Sequence, residues 1–225
     1  MNIQTISNLL KKVHIHIPEW YWKEELVRYI SEQQTERVVE IPLIFSYLPS
    51  TPVKILDVGC RYSLLSLQLA SIGHTVIAAD VGNYHRKHRN LTFVKSDIRV
   101  IKLKPNSFDV AISLSTIEHI GLGVYGDPQY MDGDRAAARS IRNLLKKGGK
   151  FLITIPFGKP RDTSWYRVYD MDRVKHLLEG FEIKDVRVYK KDGGDWVQCP
   201  IKEGNKITSG SEIYSGVAFI EAVKK

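Results

Sequence analysis

The sequence predicts an α/β fold with a seven-stranded, mostly parallel β-sheet whose last strand is antiparallel and whose two faces carry helices. Short apolar segments alternate with helical patterns along residues 51–225, and this alternation is typical of a parallel sheet covered by helices. The first of these segments, KILDV, runs directly into a glycine and then a helical pattern. Only a loop separates the last two apolar segments, which predicts that they pair as an antiparallel hairpin.

The elements can be placed in chain order from their periodicity and their end signals. A helix is expected at residues 134–147 because basic residues at its end complement the helix dipole and Gly148-Gly149 stops it. The other core helices are expected at residues 64–71 and 170–179. The predicted strands are Val53–Asp57, His74–Ala79, Leu91–Val94, Phe108–Leu114, Lys150–Gly158, Phe181–Tyr189 and the C-terminal GVAFIEAVKK.

Residues 1–50 are predicted to form a helical N-terminal cap before the domain at residues 51–225. Residues 18–34 begin with Pro and Glu and repeat large apolar side chains at helical spacing. A second helical stretch, at residues 36–47, contains Pro42, which is expected to interrupt it. The segment SYLPSTP then separates the cap from the first core strand.

The composition, 43% hydrophobic and 26% charged over 225 residues, is that of a soluble globular protein. No apolar run approaches the roughly 18 residues that span a bilayer, and the first residues lack a secretory pattern, so a cytoplasmic location is expected. The two cysteines, Cys60 and Cys199, are too few for a disulfide framework. No Cys or Cys/His spacing suits zinc, so no metal is predicted.

The net charge of +8 permits an anionic partner without identifying one. The densest basic cluster, HRKHR at residues 85–89, is short and lacks the aromatic residues that stack on bases. A solvated loop is the preferred interpretation of this cluster, and a nucleic-acid partner is not expected.

Candidate ligand residues fall where the predicted parallel strands end, which is where open α/β sheets bind ligands. Asp57 and Gly59 follow the first strand, and Asp80 ends the second, 23 positions after Asp57. In nucleotide-binding βαβ units, an acid roughly 20 residues further on reaches a ribose hydroxyl. Either aspartate alone could be a turn cap. Together with the sequence SDI at residues 96–98 and serines at residues 113–115, they predict a nucleoside site.

At these residues the sequence resembles the class I methyltransferases that use S-adenosyl-L-methionine. The matching motifs are LDVGC, AAD, SDI, SFDVAISLSTIEHI and LLKKGGKFLITIP. The resemblance implies a Rossmann-like sheet, this cofactor, ribose hydroxyls held by Asp80, and an adenine edge facing Asp97 and the Ile98 N–H. The cofactor residues it implies are Asp57, Gly59, Cys60, Arg61, Asp80, Val81, Asp97, Ile98 and Ser113.

The first turn departs from the G-x-G-x-G pattern of that family, because Arg61 and Ser63 stand at two of its glycine positions. Arg61 could pair with the cofactor carboxylate or point to solvent, and the sequence leaves both open. The segments IEHIGLGVYGDP, IPFGKP and WYRVYDMDRVKHLL resemble a branch linked to surface-polysaccharide and secondary-metabolite pathways, in which this altered turn is normal. That resemblance implies a small acceptor, sugar-like or phosphorylated.

Methyl transfer depends mainly on alignment, and a hydroxyl or protonated amine acceptor also needs a base. His119 is the candidate base, since an ordinary histidine pKa of about 6.5 suits proton removal near neutrality; a capping or packing histidine is the alternative. Glu118 is a candidate to bind the acceptor or to orient His119. After the fifth strand, Arg161, Tyr166 and Arg167 are candidates to grip a phosphate or sugar. Alternatively, the tyrosines pack in the core and Arg167 pairs with a carboxylate.

The predicted function is therefore methyl transfer from S-adenosyl-L-methionine to an oxygen or nitrogen of a small acceptor. A catalytically silent binding module is one alternative, motivated by Arg61 and Ser63, and an RNA methyltransferase is another, motivated by the charge. A homodimer stays open.

Overall fold

The computed structural model describes residues 35–208 and 215–225. Val39–Lys225 forms one compact unit. Of the other unit, Met1–Val38, only residues 35–38 belong to the described part. The helix predicted at residues 18–34 lies outside the described residues, so the division into a cap and a domain at residue 50 stays a prediction.

The described residues contain five α-helices, a 3-10 turn at Ile117–His119 and ten strands. The helices are α1 (Arg37–Tyr47), α2 (Leu65–Ser71), α3 (Gly133–Leu144), α4 (Met171–Leu177) and α5 (Ile201–Gly204). The strands are β1 (Lys54–Val58), β2 (Thr75–Asp80), β3 (Leu91–Lys95), β4 (Phe108–Leu114), β5 (Leu145–Pro156), β6 (Arg161–Asp162), β7 (Arg167–Val168), β8 (Phe181–Asp192), β9 (Asp195–Cys199) and β10 (Gly216–Lys224).

Eight of these strands form one sheet in the order β3-β2-β1-β4-β5-β10-β8-β9, and β6 and β7 pair separately. Strands β1 to β5 are parallel to their neighbours among themselves. Strand β10 lies antiparallel to both β5 and β8. The predicted mostly parallel sheet with an antiparallel last strand is confirmed, but the predicted count of seven is one too few.

The additional strand, β9, forms a hairpin with β8 through the two-residue turn Gly193-Gly194. Both glycines have positive φ, 58° and 109°, as the type I′ class of two-residue hairpin turns requires. The connection predicted as a plain loop therefore contains a strand and the short helix α5. Strand β10 then pairs with β8 as predicted, while β9 occupies the sheet edge.

Helices cover both faces of the sheet, as predicted. One apolar cluster joins α1 and α2 to one face through Ile44, Leu65 and Leu69. The other joins α3 and α4 to the opposite face through Ile141 and Val174. Among the described residues, no helix has the length and apolar character to cross a membrane.

The predicted interruption of one helix and the predicted end of another are wrong. Helix α1 continues through Pro42 to Tyr47, although proline cannot donate the hydrogen bond to the preceding turn. Burial of Leu43 and Ile44 immediately after the proline offsets this loss. Helix α3 ends at Leu144 instead of Lys147, because β5 already begins at Leu145 and pairs there with Phe108.

Candidate functional site

The carboxyl ends of β1, β2 and β4 meet at one edge of the sheet. Val58, the last residue of β1, lies opposite Ala79 on one side and Ser113 on the other. Asp80 therefore ends β2 at the level of the turn that follows β1. The structure thus gathers the residues that the sequence places at separate strand ends.

Gly59 begins the turn after β1 with φ of +87°, in the region that favours glycine. Its N–H donates to the Ala79 carbonyl oxygen (2.9 Å). A Cβ at this position would collide with the side chain of Thr116, which follows β4 and donates to the Leu114 carbonyl oxygen (2.9 Å). The glycine is required because the segment after β4 packs directly on the turn.

The side chains of Asp57, in β1, and of Cys60, in the turn itself, are buried. The Asp57 carboxylate accepts a hydrogen bond from the Ser66 hydroxyl in α2, which ties β1 to the helix that follows. Burial, together with the negative charges of Asp57 and Asp80, raises the pKa of the Cys60 thiol well above its usual range. Both buried side chains therefore stabilise the turn from the protein interior.

The Asp80 carboxylate is held by two backbone amides, one on each oxygen. The Gly82 N–H donates to Oδ1 (2.7 Å) and the Arg61 N–H donates to Oδ2 (3.0 Å). Each carboxylate oxygen has two lone-pair positions, so each keeps one for a ligand. Val81, between Asp80 and Gly82, is half-buried.

The Arg61 side chain packs against Gly82 and Tyr62. A Cβ on Gly82 would sit 2.6 Å from Arg61 Cδ, so the arginine stem covers that glycine. The guanidinium carbon lies 4.8 Å from the centre of the Tyr62 ring. In this structure Arg61 thus contributes its backbone N–H to Asp80, while its side chain extends across the β2 end of the site.

Asp97 follows β3 and is paired with Arg99. Arg99 Nη2 donates to Asp97 Oδ2 (2.6 Å), and the backbone N–H of Arg99 donates to Oδ1 (2.9 Å). Burial raises the pKa of Asp97, but the hydrogen bonds from Arg99 and its charge outweigh burial and hold the pKa below its usual range. None of the hydrogen bonds between described residues uses the backbone N–H of Ile98.

The segment after β4 places two serines differently. Ser113 is fully buried, and its Oγ has no hydrogen-bond partner among the described residues. Ser115 has φ of +40° and donates through Oγ to Glu40 Oε1 (2.6 Å) in α1. Its N–H also donates to Thr154 Oγ1 in β5 (2.9 Å). Ser115 and the buried Glu40 therefore fix the backbone at the end of β4.

His119 lies in the 3-10 turn after β4, between two aromatic rings. Its ring centre is 5.3 Å from that of Tyr125 and 5.8 Å from that of Trp165. The distance from His119 Nδ1 to the Trp165 carbonyl oxygen is 2.6 Å, which assigns the hydrogen to Nδ1 because a carbonyl only accepts. Nε2 lies 3.7 Å from Glu118 Oε1, so Glu118 would stabilise a proton on Nε2.

Glu118 belongs to a buried polar cluster with Arg167, Asp134 and Tyr169. The Tyr169 hydroxyl donates to Asp134 Oδ2 (2.8 Å), and Arg167 Nε lies 3.9 Å from the same oxygen. Burial, followed by the negative charges of Asp134 and Glu118, raises the pKa of Tyr169 well above its usual range. The Glu118 side chain is enclosed by protein beside His119, a placement that suits orienting the imidazole.

The Arg167 guanidinium holds the loop between β4 and α3, residues 120–132. Nη1 donates to the carbonyl oxygens of Glu118 (3.2 Å) and Ile120 (2.9 Å), and Nη2 donates to that of Met131 (3.1 Å). These contacts favour a positioning role for Arg167 over direct contact with an acceptor. Arg161, by contrast, is half-buried and donates through Nη2 to the hydroxyl of the buried Tyr166 (3.0 Å).

Four residues with close contacts at the site are not predicted from the sequence: Glu40, Arg99, Thr116 and Asp127. The partner of Glu40 lies 75 residues away in the chain, whereas Arg99 contacts Asp97 and Thr116 contacts Leu114. The D-x-R spacing of Asp97 and Arg99 is a usable signal, because opposite charges two residues apart can pair across a backbone turn. The sequence carries no comparable signal for Glu40.

The sheet order, with its parallel strands followed by antiparallel strands at one end, is that of the class I S-adenosylmethionine-dependent methyltransferase fold. The chain belongs to the family described as Caenorhabditis protein of unknown function, DUF268, whose profile matches residues 76–205. Among curated proteins, it is similar to the ubiquinone biosynthesis O-methyltransferase of Xanthomonas euvesicatoria pv. vesicatoria (strain 85-10), with 29% identity over 126 residues, 52% of this chain and 48% of that protein. The chain spans about half the length of the curated relatives it matches.

Solved structures establish the fold independently. One is the Burkholderia thailandensis 1,6-didemethyltoxoflavin-N1-methyltransferase with bound 1,6-didemethyltoxoflavin and S-adenosylhomocysteine, with TM-score 0.59, 18% identity, and coverage of 94% of this chain and 92% of that one. Another is the Haemonchus contortus phosphoethanolamine N-methyltransferase 2 in complex with S-adenosyl-L-methionine, with TM-score 0.58, 19% identity, and coverage of 82% and 52%. The predicted Rossmann-like methyltransferase fold is confirmed.

Proposed function

We propose that this chain transfers a methyl group from S-adenosyl-L-methionine to an oxygen or nitrogen atom of a small acceptor. The observation that carries the proposal is the Asp80 carboxylate, which keeps one acceptor position on each oxygen while backbone amides fix its orientation. Two adjacent ribose hydroxyls match these two positions. The named relatives include O- and N-methyltransferases, so both acceptor atoms stay in the proposal.

The remaining cofactor contacts follow from the same edge of the sheet. Asp97 and the backbone N–H of Ile98 offer an acceptor and a donor side by side, which suits the amino group and a ring nitrogen of adenine. The turn from Gly59 to Arg61, supported by Asp57 and Cys60, would face the methionine part. The bound cofactor would supply a methyl group on a sulfonium centre, which is an electrophile with a good leaving group.

His119 is the group best placed to take a proton from the acceptor. Its Nδ1 hydrogen is fixed by the Trp165 carbonyl oxygen, and Glu118 stands beside Nε2. With its hydrogen on Nδ1, the imidazole can accept a proton at Nε2 without turning, and the nearby Glu118 carboxylate would stabilise the charged ring. An acceptor that is already a neutral amine would not require this step.

A sugar-like or phosphorylated acceptor is the substrate class we propose. Tyr125 and Trp165, beside His119, are 39% and 50% exposed, and open aromatic rings can pack against the apolar face of a sugar. Arg161 offers a guanidinium next to Tyr166 for a phosphate. We place such an enzyme in the cytoplasm, and leave a homodimer open.

Calorimetry with S-adenosylhomocysteine tests the cofactor part, and a dissociation constant in the micromolar range is expected. No binding at millimolar ligand would remove the methyltransferase proposal. Binding of S-adenosylhomocysteine without methylation of any sugar, sugar phosphate or phenol would favour a catalytically silent module. That alternative is suggested by Arg61 and Ser63, which replace two glycines of the family pattern.

A further inference from the structure

Arg99 contacts both the Asp97 end of the cofactor site and the β4–α3 loop. Besides its bonds to Asp97, its Nη2 donates to the Pro128 carbonyl oxygen (3.0 Å) and lies 3.5 Å from Asp127 Oδ2. The side chains of Arg99, Asp97 and Asp127 are 9%, 14% and 7% exposed, so water screens these interactions only weakly. One guanidinium thus joins two segments that are about 30 residues apart in sequence.

The loop side of this contact is itself ordered by Asp127. Its Oδ2 accepts a hydrogen bond from the Gly121 N–H (2.6 Å), and the Tyr130 N–H donates to the Gly121 carbonyl oxygen (2.8 Å). The loop is therefore closed on itself between residues 121 and 130. Arg99 fixes this closed loop to Asp97, and the loop carries Tyr125 against His119.

Arg99 still leaves Asp97 able to bind a ligand. Arg99 Nε lies 3.0 Å from both carboxylate oxygens, so its single hydrogen is shared between them. The backbone N–H and Nη2 are the other two donors. A carboxylate has about four lone-pair positions, so three donors leave about one for an amino group.

We propose that Arg99 is a positioning residue that couples the adenine end of the cofactor site to the β4–α3 loop. The proposal rests on the proposed function, in which Asp97 accepts the adenine amino group. Cofactor bound to Asp97 restrains Arg99, and Arg99 in turn restrains Asp127 and Pro128. Binding of the cofactor thereby stabilises the loop in the position that holds Tyr125 against His119, and linkage requires that a loop held in this position tightens cofactor binding by the same factor.

Hydrogen exchange of the loop tests this coupling without measuring catalysis. Exchange is followed in peptides covering residues 121–131, with and without S-adenosylhomocysteine at saturation for each variant. In the wild type, the ligand should slow exchange by about 5-fold or more, the lower end of typical coupling factors. In Arg99→Ala, this ratio should fall toward one. Arg99→Lys should behave similarly, because an ammonium lacks the planar set of donors with which the guanidinium binds Asp97 and the Pro128 carbonyl oxygen together.

Two further variants separate coupling from simple loop stability. Asp127→Asn keeps an oxygen that can accept from the Gly121 N–H but loses the charge that faces Arg99. Its exchange ratio should therefore lie between those of the wild type and Arg99→Ala. Arg139→Ala is the matched control, since Arg139 is exposed in α3 and forms no hydrogen bond or ion pair with a described residue, and the ratio should stay at its wild-type value.

The outcomes are distinct. If Arg99→Ala speeds loop exchange equally with and without ligand, the ratio is unchanged, Arg99 only stabilises the loop, and the coupling is overturned while the proposed function stands. A wild-type ratio of one despite bound ligand likewise overturns the coupling and leaves the proposed function standing. Failure of the wild type to bind S-adenosylhomocysteine at all overturns the coupling and the proposed function together.

Discussion

Replacing Asp80 with alanine removes the carboxylate that is proposed to hold the ribose. The backbone amides of Arg61 and Gly82 then lose their acceptor, and the two free lone-pair positions disappear with it. Because both amides lie at a partly exposed edge, water can replace the lost acceptor in the free protein. The main loss should therefore fall on ligand binding instead of folding.

The size of the loss follows from the number and setting of the bonds. A hydrogen bond to a charged group contributes a net of about 1.5–3 kcal/mol when buried. Asp80 is only half-buried, so water competes with each of its two proposed ribose bonds. We expect the pair together to contribute about 1.5–3 kcal/mol, which corresponds to a dissociation constant about 10- to 150-fold weaker.

Calorimetry with S-adenosylhomocysteine measures this change directly. Asp195→Ala is the control, since Asp195 is an exposed acid at the β8–β9 turn, away from the strand ends of β1 and β2. Thermal unfolding of each variant checks that the fold is kept. An unchanged dissociation constant in folded Asp80→Ala would show that the ribose is not held here, and the reasoning from lone-pair positions would fail.

Three other predictions concern the candidate base, the free energy of unfolding at low pH and the turn after β1. His119→Ala should slow methyl transfer by about a hundredfold or more with unchanged ligand affinity, and wild-type turnover that is flat from about pH 6 to 9 would remove His119 from the mechanism. Because the folded pKa of Asp97 is depressed, its contribution to stability is present above the unfolded pKa of about 3.9 and is lost as the pH falls through the folded pKa. The difference in unfolding free energy between wild type and Asp97→Asn should therefore shrink below about pH 4 in urea titrations; a constant difference would contradict the Arg99 pairing. Gly59→Ala should lower the unfolding free energy by about 1–3 kcal/mol. Adding Thr116→Ala should recover only part of this loss, because the alanine at position 59 still has a positive φ. Full recovery would show that the positive φ does not destabilise the variant.

Strand ends are predictable because a period-two or continuous apolar pattern stops at a definite residue. Asp80 and Asp97 can therefore be assigned to one sheet edge from the sequence alone, and the registers of β1 with β2 and of β2 with β3 place them there. The hairpin turn Gly193-Gly194 carries an equally local signal, two glycines between β-forming segments, although only a loop is predicted there. Local patterns of this kind suffice for elements and edges.

Side-chain assignments that depend on long-range packing could not be obtained in this way. Arg167 is open to two interpretations from sequence, and only the placement of Glu118, Ile120 and Met131 around it favours the positioning role. Glu40 pairs with Ser115 across 75 residues. Nothing in the chain marks such a pair, because the partner is chosen by how α1 packs on the sheet.

The altered first turn has a physical explanation in the backbone. Among the described non-glycine residues, only Asn106 and Ser115 have positive φ, so neither Arg61 nor Ser63 occupies a conformation that requires glycine. Position 61 contributes a backbone N–H to Asp80, which every residue except proline can supply. Ser63 adds a side-chain contact, because its Oγ accepts from the Leu65 N–H (3.0 Å) at the start of α2. Loss of two glycines therefore leaves the Asp80 arrangement intact, which argues for a retained cofactor site over a decayed one.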